Sequence, residues 1–308
     1  MNHLTPSPNL LTRTPRMHEL LEVARRYAAT DYPVLIGGET GTGKAMLARF
    51  LHGLSTSRHG PFAVEGAGAI PDSLLEAELF GHVRGAFTGA VAGRQGLLAA
   101  ASGGTLFLDG IEDASPHLQL ILLRFLQQGT IRPVGAEQPI PVKLRLISSS
   151  GLPLAELERR LRSDFFHRIN TLQLELPPLR ERVEDLPLLA GHFAREAGWH
   201  RELPEKLLEI LASLDWPGNV RQLRNEITSL ILAGDCTLDP ARLVDRLREQ
   251  APVAPPRTVQ EAVARAERNF ILAALKRNDY HRIRTASEMR VSKTWLYKKI
   301  GEYRLDAG

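Results

Sequence analysis

The sequence predicts an α/β domain with a mostly parallel sheet, then a helical lid, then a small all-α unit. Three observations lead to this prediction. Short apolar runs alternate with amphipathic segments through the first part of the chain. A glycine-rich turn stands between one such run and a helical pattern, and the positive charge is concentrated near the C-terminus. The 308 residues are enough for one large domain and an appendage.

Five short apolar runs are predicted to form the sheet, and helical patterns lie between them, which favours parallel pairing. Their bounds are Pro33–Ile36, Phe62–Val64, Thr105–Leu108, Lys143–Ser148 and Thr171–Leu176. After Pro177-Pro178 only helical spacing continues, as in Glu205–Leu214 and Arg221–Leu232. Residues 1–176 are therefore predicted to be the α/β part of a domain spanning 1–250, and residues 177–250 its helical lid.

A proline-rich linker is predicted at residues 251–256, because three prolines in six residues disfavour a helix. Beyond it, residues 257–308 contain 12 Lys and Arg against 6 Asp and Glu, whereas the rest contain 27 against 29. A basic terminal module indicates a polyanion partner, nucleic acid first. A solvated Arg-rich helical face is the alternative. Within this module, a helix over Thr258–Lys276 is predicted to pack or dimerise. Its apolar stripe is Val259, Val263, Phe270 and Ala274.

Membrane and secreted classes are disfavoured by the composition. No run of about 18 apolar residues is present, and the N-terminus does not have the pattern of a secretory signal. The single cysteine, Cys236, cannot form an internal disulfide. A cytoplasmic protein without membrane partners is therefore expected.

A phosphate-binding loop is predicted at Gly38–Lys44, which has the G-x-x-x-x-G-K pattern. It follows the predicted strand Val34–Ile36 and precedes the helical run Ala45–Leu51. Its glycines let backbone N–H groups surround phosphate oxygens, and the helix N-terminus adds positive potential. Lys44 would reach the β- and γ-phosphates of ATP. A chance glycine turn is the alternative, which the strand–helix context disfavours. The predicted nucleotide-binding residues are Gly38, Glu39, Thr40, Gly41, Thr42, Gly43, Lys44 and Ala45.

A magnesium-binding carboxylate is predicted at Asp109, which ends the apolar run Gly103–Leu108. An acid at the carboxyl end of such a strand would lie beside the phosphate loop, where ligands of open α/β sheets bind. Many phosphate loops have Ser or Thr after the lysine, but this chain has Ala45. The Mg²⁺ ion must then depend on water, phosphate oxygens and Asp109.

The first resemblance to a known family is carried by the sequence Gly85-Ala86-Phe87-Thr88-Gly89-Ala90, which is preceded by Glu78-Leu79-Phe80-Gly81-His82. The first sequence resembles the loop with which bacterial enhancer-binding proteins, the AAA+ activators of sigma-54 RNA polymerase, contact the sigma factor. The resemblance extends from about Leu11 to the C-terminus. It implies an AAA+ ATPase that uses ATP and Mg²⁺ and contacts sigma-54 through Gly85–Ala90. It also implies enhancer DNA as a partner and a hexameric ring, made of one chain or mixed with a related activator.

Two further segments resemble motifs of this family, and a third departs from one. Arg162–Asn170 resembles the arginine-finger segment, so Arg162 and Arg168 would act on the nucleotide of a neighbouring subunit; surface salt bridges are the alternative. Trp216–Leu223 resembles the sensor II helix, which would place Arg221 on bound nucleotide. Ser149 and Ser150 stand where sensor I usually has a Thr-Asn or Thr-His pair.

The water-activating carboxylate is missing from its usual place. The family usually has Glu after the strand-end Asp, but here Gly110 follows Asp109, and Glu65 stands where the family has a switch Asn. Glu65 or Glu112 are the substitutes that the sequence offers. Two functions remain open: an ATP-hydrolysing activator, or a DNA-binding co-subunit of a mixed ring that binds ATP but hydrolyses it weakly.

The C-terminal module, residues 257–308, contains Ile283–Ile300, which resembles the Fis-type helix-turn-helix that ends this family. Ser292 would cap the second helix, and Trp295 would be partly buried. Predicted DNA contacts are Arg284, Ser292, Lys293, Thr294, Lys298 and Lys299. Most relatives have an N-terminal receiver or sensory domain, and the phosphate loop near residue 37 predicts a form without one.

Overall fold

The structure, a computed structural model, describes residues 10–232, 267, 270–271, 274–275, 278, 281–289 and 291–303. The chain divides into two compact units, Met1–Asp245 and Arg246–Gly308. Within the residues described, no helix is long and apolar enough to cross a membrane.

The first unit contains a five-stranded parallel sheet, which confirms the α/β part of the predicted fold class and the existence of all five predicted strands. The sheet order is β2-β5-β8-β1-β9. Its strands are β1 Val34–Gly37, β2 Phe62–Gly66, β5 Thr105–Asp109, β8 Arg145–Ser150 and β9 Leu172–Glu175. Two antiparallel hairpins not predicted from the sequence lie outside it: β3 Gly81–His82 with β4 Arg94–Gln95, and β6 Thr130–Ile131 with β7 Ile140–Pro141.

Helices cover the sheet and form the lid. Those of the α/β part are α1 Pro15–Ala28, α2 Lys44–Leu54, α3 Leu75–Phe80, α4 Leu97–Ala100, α5 Pro116–Gln128, α6 Leu154–Arg160 and α7 Ser163–Ile169; those of the lid are α8 Leu186–Glu196, α9 Glu205–Ala212 and α10 Asn219–Leu232. Helix α5 shows how local sequence sets such bounds. Ser115 accepts a hydrogen bond from the Leu118 N–H (3.1 Å), Pro116 occupies the first turn, and Gly129 ends the helix at φ 65°.

Two hydrophobic clusters lie on opposite faces of the sheet. Because side chains alternate along a strand, β5 sends Leu106 and Leu108 to one cluster and Phe107 to the other. The first cluster packs against α5 and α7, where Leu122 and Phe165 are fully buried. The second packs against α1 and α2. Burial on both faces explains why the central strands β1, β5 and β8 are largely apolar runs in the sequence, whereas the edge strands β2 and β9 are partly exposed.

A buried arginine fixes the end of α1 to the sheet. The Arg145 guanidinium, on β8, donates to the carbonyl oxygens of Tyr27 (2.7 Å), Ala28 (3.2 Å) and Tyr32 (3.4 Å). Burial lowers the pKa of Arg145 to about 10, so the side chain stays charged at neutral pH. It thereby supplies donors to carbonyl groups that the end of a helix leaves unpaired.

The second unit contains α11, Arg282–Glu288, and α12, Lys293–Tyr303. Its core includes Ile271, Leu275, Ala286, Leu296 and Ile300. Of the apolar stripe predicted over Thr258–Lys276, Ala274 is buried but Phe270 is 59% exposed. Val259, Val263, the linker 251–256 and Cys236 lie outside the described residues.

Candidate active site

The register of the sheet brings the predicted nucleotide-binding groups to one edge. Gly37 of β1 pairs with Ser150 of β8, and Gly66 of β2 pairs with Asp109 of β5. Because the strands are parallel, their carboxyl ends open on a common cleft. This cleft has a volume of about 740 Å³, which is within the range of small-molecule sites. Its lining includes residues of the phosphate loop, the end of β5 and the lid.

The phosphate loop lies between the end of β1 at Gly37 and the start of α2 at Lys44. Gly41 and Gly43 have φ values of 82° and 111°, a region that favours glycine. A Cβ at Gly41 would also lie 2.2 Å from the carbonyl oxygen of Gly218 in the lid. Glycine is therefore required at Gly41 by both the turn and the close approach of the lid.

The Lys44 ammonium group is folded onto the loop. Its Nζ donates to the carbonyl oxygens of Gly38 (2.6 Å) and Glu39 (3.1 Å). Burial lowers the pKa of Lys44, and the carboxylates of Asp109 and then Glu112 oppose that shift. Phosphate oxygens in the cleft would accept the hydrogen bonds that Lys44 donates to the loop carbonyl groups. They would also supply the negative charge that a half-buried ammonium group requires.

The end of β5 is joined to the end of β8 by hydrogen bonds. The Ser149 hydroxyl donates to the Asp109 carboxylate and accepts from the Gly110 N–H (3.3 Å). Asp109 is exposed and lines the cleft, whereas Ala45 offers no side-chain oxygen. This donor set fits Mg²⁺, which commonly binds one or two carboxylates together with phosphate oxygens and water.

The sequence left open whether Glu65 or Glu112 replaces the missing glutamate, and the structure places these two carboxylates in different depressions. Glu112 lines the cleft, in a 3-10 turn over Ile111–Asp113 that follows Asp109. Its Oε1 accepts from the Gly151 N–H (2.8 Å). Glu65, on β2, lines a second depression that also contains Leu74 and Arg94. Glu65 is not among the residues that line the nucleotide cleft.

The lid is tied to the phosphate loop through Glu39 and Asn219. The two Nη atoms of Arg180 donate to the Glu39 carboxylate (2.7 and 2.9 Å), and Asn219 Nδ2 donates to it as well (3.1 Å). These donors lower the pKa of Glu39, the Arg180 hydrogen bond most. Arg182, which is buried, donates to the Thr42 carbonyl oxygen (2.7 Å). None of these contacts between the lid and the loop was predicted from the sequence.

Arg221 also belongs to the cleft. Its backbone N–H donates to the Gly41 carbonyl oxygen (3.3 Å), and its exposed side chain lines the cleft at the start of α10. Arg162 and Arg168 do not line the cleft. They are exposed on and beside α7, where Arg162 pairs with Asp164 (2.9 Å) and Arg168 donates to the Leu126 carbonyl oxygen (2.5 Å).

The segment Gly85–Ala90 forms a compact loop at the tip of the β3–β4 hairpin. The Gly85 N–H donates to the Ala90 carbonyl oxygen (2.9 Å), and the Ala90 N–H donates to the Phe87 carbonyl oxygen (3.0 Å). Phe87 is 48% exposed and rests against the ring of His82, with the ring centroids 4.9 Å apart. Thr88 is exposed beside it. The loop thus presents an aromatic ring and a hydroxyl to solvent.

In the second unit, the Ser292 hydroxyl accepts from the Trp295 N–H (3.1 Å) and caps α12, while Trp295 is half-buried. Lys299 differs from the other predicted DNA contacts. Its side chain is 19% exposed and pairs with Glu267 (2.9 Å) and Glu302 (3.2 Å), so it is directed to carboxylates of its own unit. The remaining predicted contacts are exposed: Arg284, Ser292, Lys293, Thr294 and Lys298.

Comparison with known proteins gives matches over nearly the whole chain. Residues 10–175 match the family model described as "Sigma-54 interaction domain", and residues 180–260 match the "AAA+ ATPase lid domain". The transcriptional regulatory protein GlrR of Escherichia coli (strain K12) is 41% identical over 97% of this chain and 68% of its own length. The regulatory protein AtoC of the same strain is 36% identical over 97% and 68%. The crystal structure of NtrX from Brucella abortus in complex with ATP matches with a TM-score of 0.70 and 29% identity, over 97% of this chain and 70% of that chain.

Proposed function

Because the chain belongs to the family of sigma-54-dependent transcription activators, which are AAA+ ATPases, we propose that it remodels the closed complex of sigma-54 RNA polymerase from an enhancer-bound ring. The exposed Gly85–Ala90 loop supports this proposal most directly. It projects from the same unit that contains the nucleotide cleft, and its Phe87 ring and Thr88 hydroxyl face solvent. These groups offer an apolar contact and a hydrogen bond to the sigma factor.

In the proposed mechanism, the phosphate loop binds ATP through its backbone N–H groups and Lys44, and Arg221 contacts the nucleotide from the lid. Asp109 would hold Mg²⁺, which supplies positive charge against the phosphate oxygens when it is bound. The ring would place Arg162 and Arg168 of one subunit beside the nucleotide of the next, where guanidinium groups stabilise negative charge. A homomeric ring suffices for this arrangement, because each chain supplies both halves of such an interface.

The second unit is proposed to be a Fis-type helix-turn-helix that binds enhancer DNA. Helix α12 begins at the Ser292 cap, and Lys293 and Thr294 lie exposed in its first turn, where base edges are usually read. Lys298 and Arg284 would contact phosphates. Changing Arg284 and Lys298 together to Ala should lower the steepness of log affinity against log salt by roughly 2, since each phosphate contact releases about one counterion. An unchanged slope in a gel-shift titration would contradict the assignment, and Lys206→Ala on the exposed face of α9 is the control.

The polymerase contact is tested by Thr88→Ala. We expect this variant to bind ATP and enhancer DNA normally but to fail in open-complex formation with purified sigma-54 polymerase. Thr56→Ala, an exposed threonine in the same unit, is the matched control and should open promoters like the unchanged protein. Normal promoter opening by Thr88→Ala would contradict the proposal.

A further inference from the structure

The residue after Asp109 is a glycine, which has no side chain but readily adopts a left-handed backbone conformation. Gly110 has φ 70° and ψ 53°, a left-handed conformation that costs other residues roughly 1–2 kcal/mol. This conformation starts the 3-10 turn Ile111–Asp113, so the chain curls directly after β5. Glu112, two residues beyond Gly110, is thereby returned to the wall of the nucleotide cleft.

The carboxylate of Glu112 is held at one oxygen and unpartnered at the other. Its Oε1 accepts from the Gly151 N–H (2.8 Å), which is at the end of β8. Its Oε2 is buried and has no hydrogen-bond partner among the described protein groups. Buried carboxylate oxygens are normally paired, and an unpaired one at a cleft commonly has a functional role or a bound water. The fixed oxygen orients the group, and the unpartnered one is able to accept a hydrogen bond.

The carboxylate of Glu112 and the phosphate loop both lie close to Gly151. A Cβ added at Gly151 would lie 3.2 Å from Glu112 Oε1 and 3.8 Å from the Thr40 hydroxyl, so the carboxylate lies next to the phosphate loop. Its charge also acts on Lys44, second only to that of Asp109 among the acids. Asp109, by contrast, already accepts from Ser149 and is the expected metal ligand.

We infer that Glu112 is the catalytic carboxylate that activates the attacking water, in place of the glutamate that the family has at the position of Gly110. This inference rests on the ATPase function proposed above. The water oxygen forms a bond to the γ-phosphorus, and the bond from that phosphorus to the β,γ-bridging oxygen breaks. Its electron pair leaves on the β-phosphate of ADP. Glu112 accepts the proton of the water and passes it to the phosphate product or to solvent.

The experiment compares Glu112→Gln, Glu65→Gln and the surface control Glu158→Gln with the unchanged full-length protein. Gln at residue 112 keeps an oxygen to accept from the Gly151 N–H, so the variant removes the base while leaving the anchor. We expect single-turnover ATP hydrolysis to fall by roughly 10²–10⁴-fold in Glu112→Gln, while Mg²⁺-dependent binding of a fluorescent ATP analogue stays within about threefold. Glu158→Gln should leave both measurements unchanged.

A second readout is independent of the turnover rate. After incubation with Mg²⁺ and ATP and rapid gel filtration, rings of the unchanged protein should contain mainly ADP, and Glu112→Gln rings should retain ATP. Hydrolysis by Glu112→Gln at the unchanged rate, or a loss confined to Glu65→Gln, would overturn the inference. Loss of nucleotide binding in Glu112→Gln would also overturn it, by assigning Glu112 to the metal or the phosphates. In each of these cases the unchanged protein still hydrolyses ATP and opens promoters. An unchanged protein that binds ATP without hydrolysing it, with or without polymerase, would overturn both the inference and the proposed ATP-driven function.

Discussion

Asn219 is the residue whose removal should most weaken the attachment of the lid to the phosphate loop. It is fully buried, and its Oδ1 accepts from the Leu179 N–H (2.7 Å). Its Nδ2 donates to the Glu39 carboxylate (3.1 Å) and to the Thr40 carbonyl oxygen (3.1 Å). Its φ of 51° lies in the left-handed region, which asparagine tolerates better than most residues. One side chain thus joins the lid entry, the loop and the start of α10.

The cost of losing this side chain follows from these contacts. Leaving the buried Leu179 N–H unpaired costs roughly 1–3 kcal/mol. The lost hydrogen bonds to Glu39 and Thr40 add only about 1 kcal/mol, because Glu39 is partly exposed and solvent weakens its interactions. Asn219→Gly, which accepts the left-handed backbone, should therefore destabilise the first unit by roughly 2–4 kcal/mol. That corresponds to a fall in melting temperature of roughly 5–15 °C for a domain of this size. Asn219→Ala should cost a further ~1–2 kcal/mol because alanine is strained at this φ.

Thermal unfolding followed by circular dichroism, with and without ATP, is the assay. Asn225→Gly is the matched control, because it makes the same change at an exposed position of α10 and should cost only about 0.5–1 kcal/mol. ATP should stabilise Asn219→Gly less than the unchanged protein, since the lid residue Arg221 would be held less firmly beside the loop. An Asn219→Gly protein as stable as Asn225→Gly would refute the reasoning, and so would an Asn219→Ala protein more stable than Asn219→Gly.

Three further predictions follow from the charged groups. Arg145→Leu removes the guanidinium donor from the carbonyl oxygens of Ala28 and Tyr32, while that of Tyr27 still accepts from Thr30, and should destabilise the first unit by roughly 2–4 kcal/mol; a melting temperature within about 1 °C of the unchanged protein would contradict this. The pKa of Glu39 is lowered in the folded state from 4.5, so its stabilising contribution is complete above that value and declines as pH falls below it. The difference in melting temperature between the unchanged protein and Glu39→Gln should therefore shrink in acid, and a difference that grows would be the wrong sign. Lys44→Ala and Arg168→Ala should each be inactive as ATPases, and loss of the arginine should lower the hydrolysis rate by roughly 10³-fold or more. Mixing the two should restore activity, because some interfaces then combine an intact loop with an intact arginine; no recovery on mixing would exclude an arginine finger at residue 168.

The parallel sheet could be predicted from the sequence because its central strands, β1, β5 and β8, are buried and therefore begin as largely apolar runs. The predicted bounds fail at the carboxyl ends, where the strands continue into Gly37, Gly66 and Ser149-Ser150. These small or polar residues end an apolar run, yet they remain in the sheet because their backbone groups still pair. Gly66 lines the cleft together with Asp109 at the end of β5 and Gly151 directly after β8, so the apolar pattern stops where the functional groups begin.

The helical stripe in the second unit shows a different limit. The stripe chosen by helical spacing included Phe270 and Ala274, but of these two only Ala274 is buried, together with Ile271 and Leu275. These lie at i, i+3 and i+4, which is also a helical face. Periodicity identifies a helix, but when two overlapping apolar faces are available, only packing determines which one is buried. Lys299, predicted as a DNA contact, pairs with Glu302 three residues along the same helix and with Glu267, which comes close only through the folded chain.

The departures from the family pattern at Glu65, Gly110 and Ser149 are best understood as one rearrangement. A glutamate directly after Asp109 would have to adopt the left-handed φ of Gly110. Its Cβ would lie 3.6 Å from an Asp113 carboxylate oxygen. With glycine there, the turn instead delivers Glu112 to the cleft and anchors it on Gly151, while Ser149 anchors Asp109 from the same strand end. Both acids are thus held by groups at the end of β8, and Glu65 on β2 is left beside the hairpin that carries the Gly85–Ala90 loop. Placing Glu at residue 110 alone would therefore not restore the family arrangement, because it would add strain and a further negative charge to a site that already contains its carboxylate.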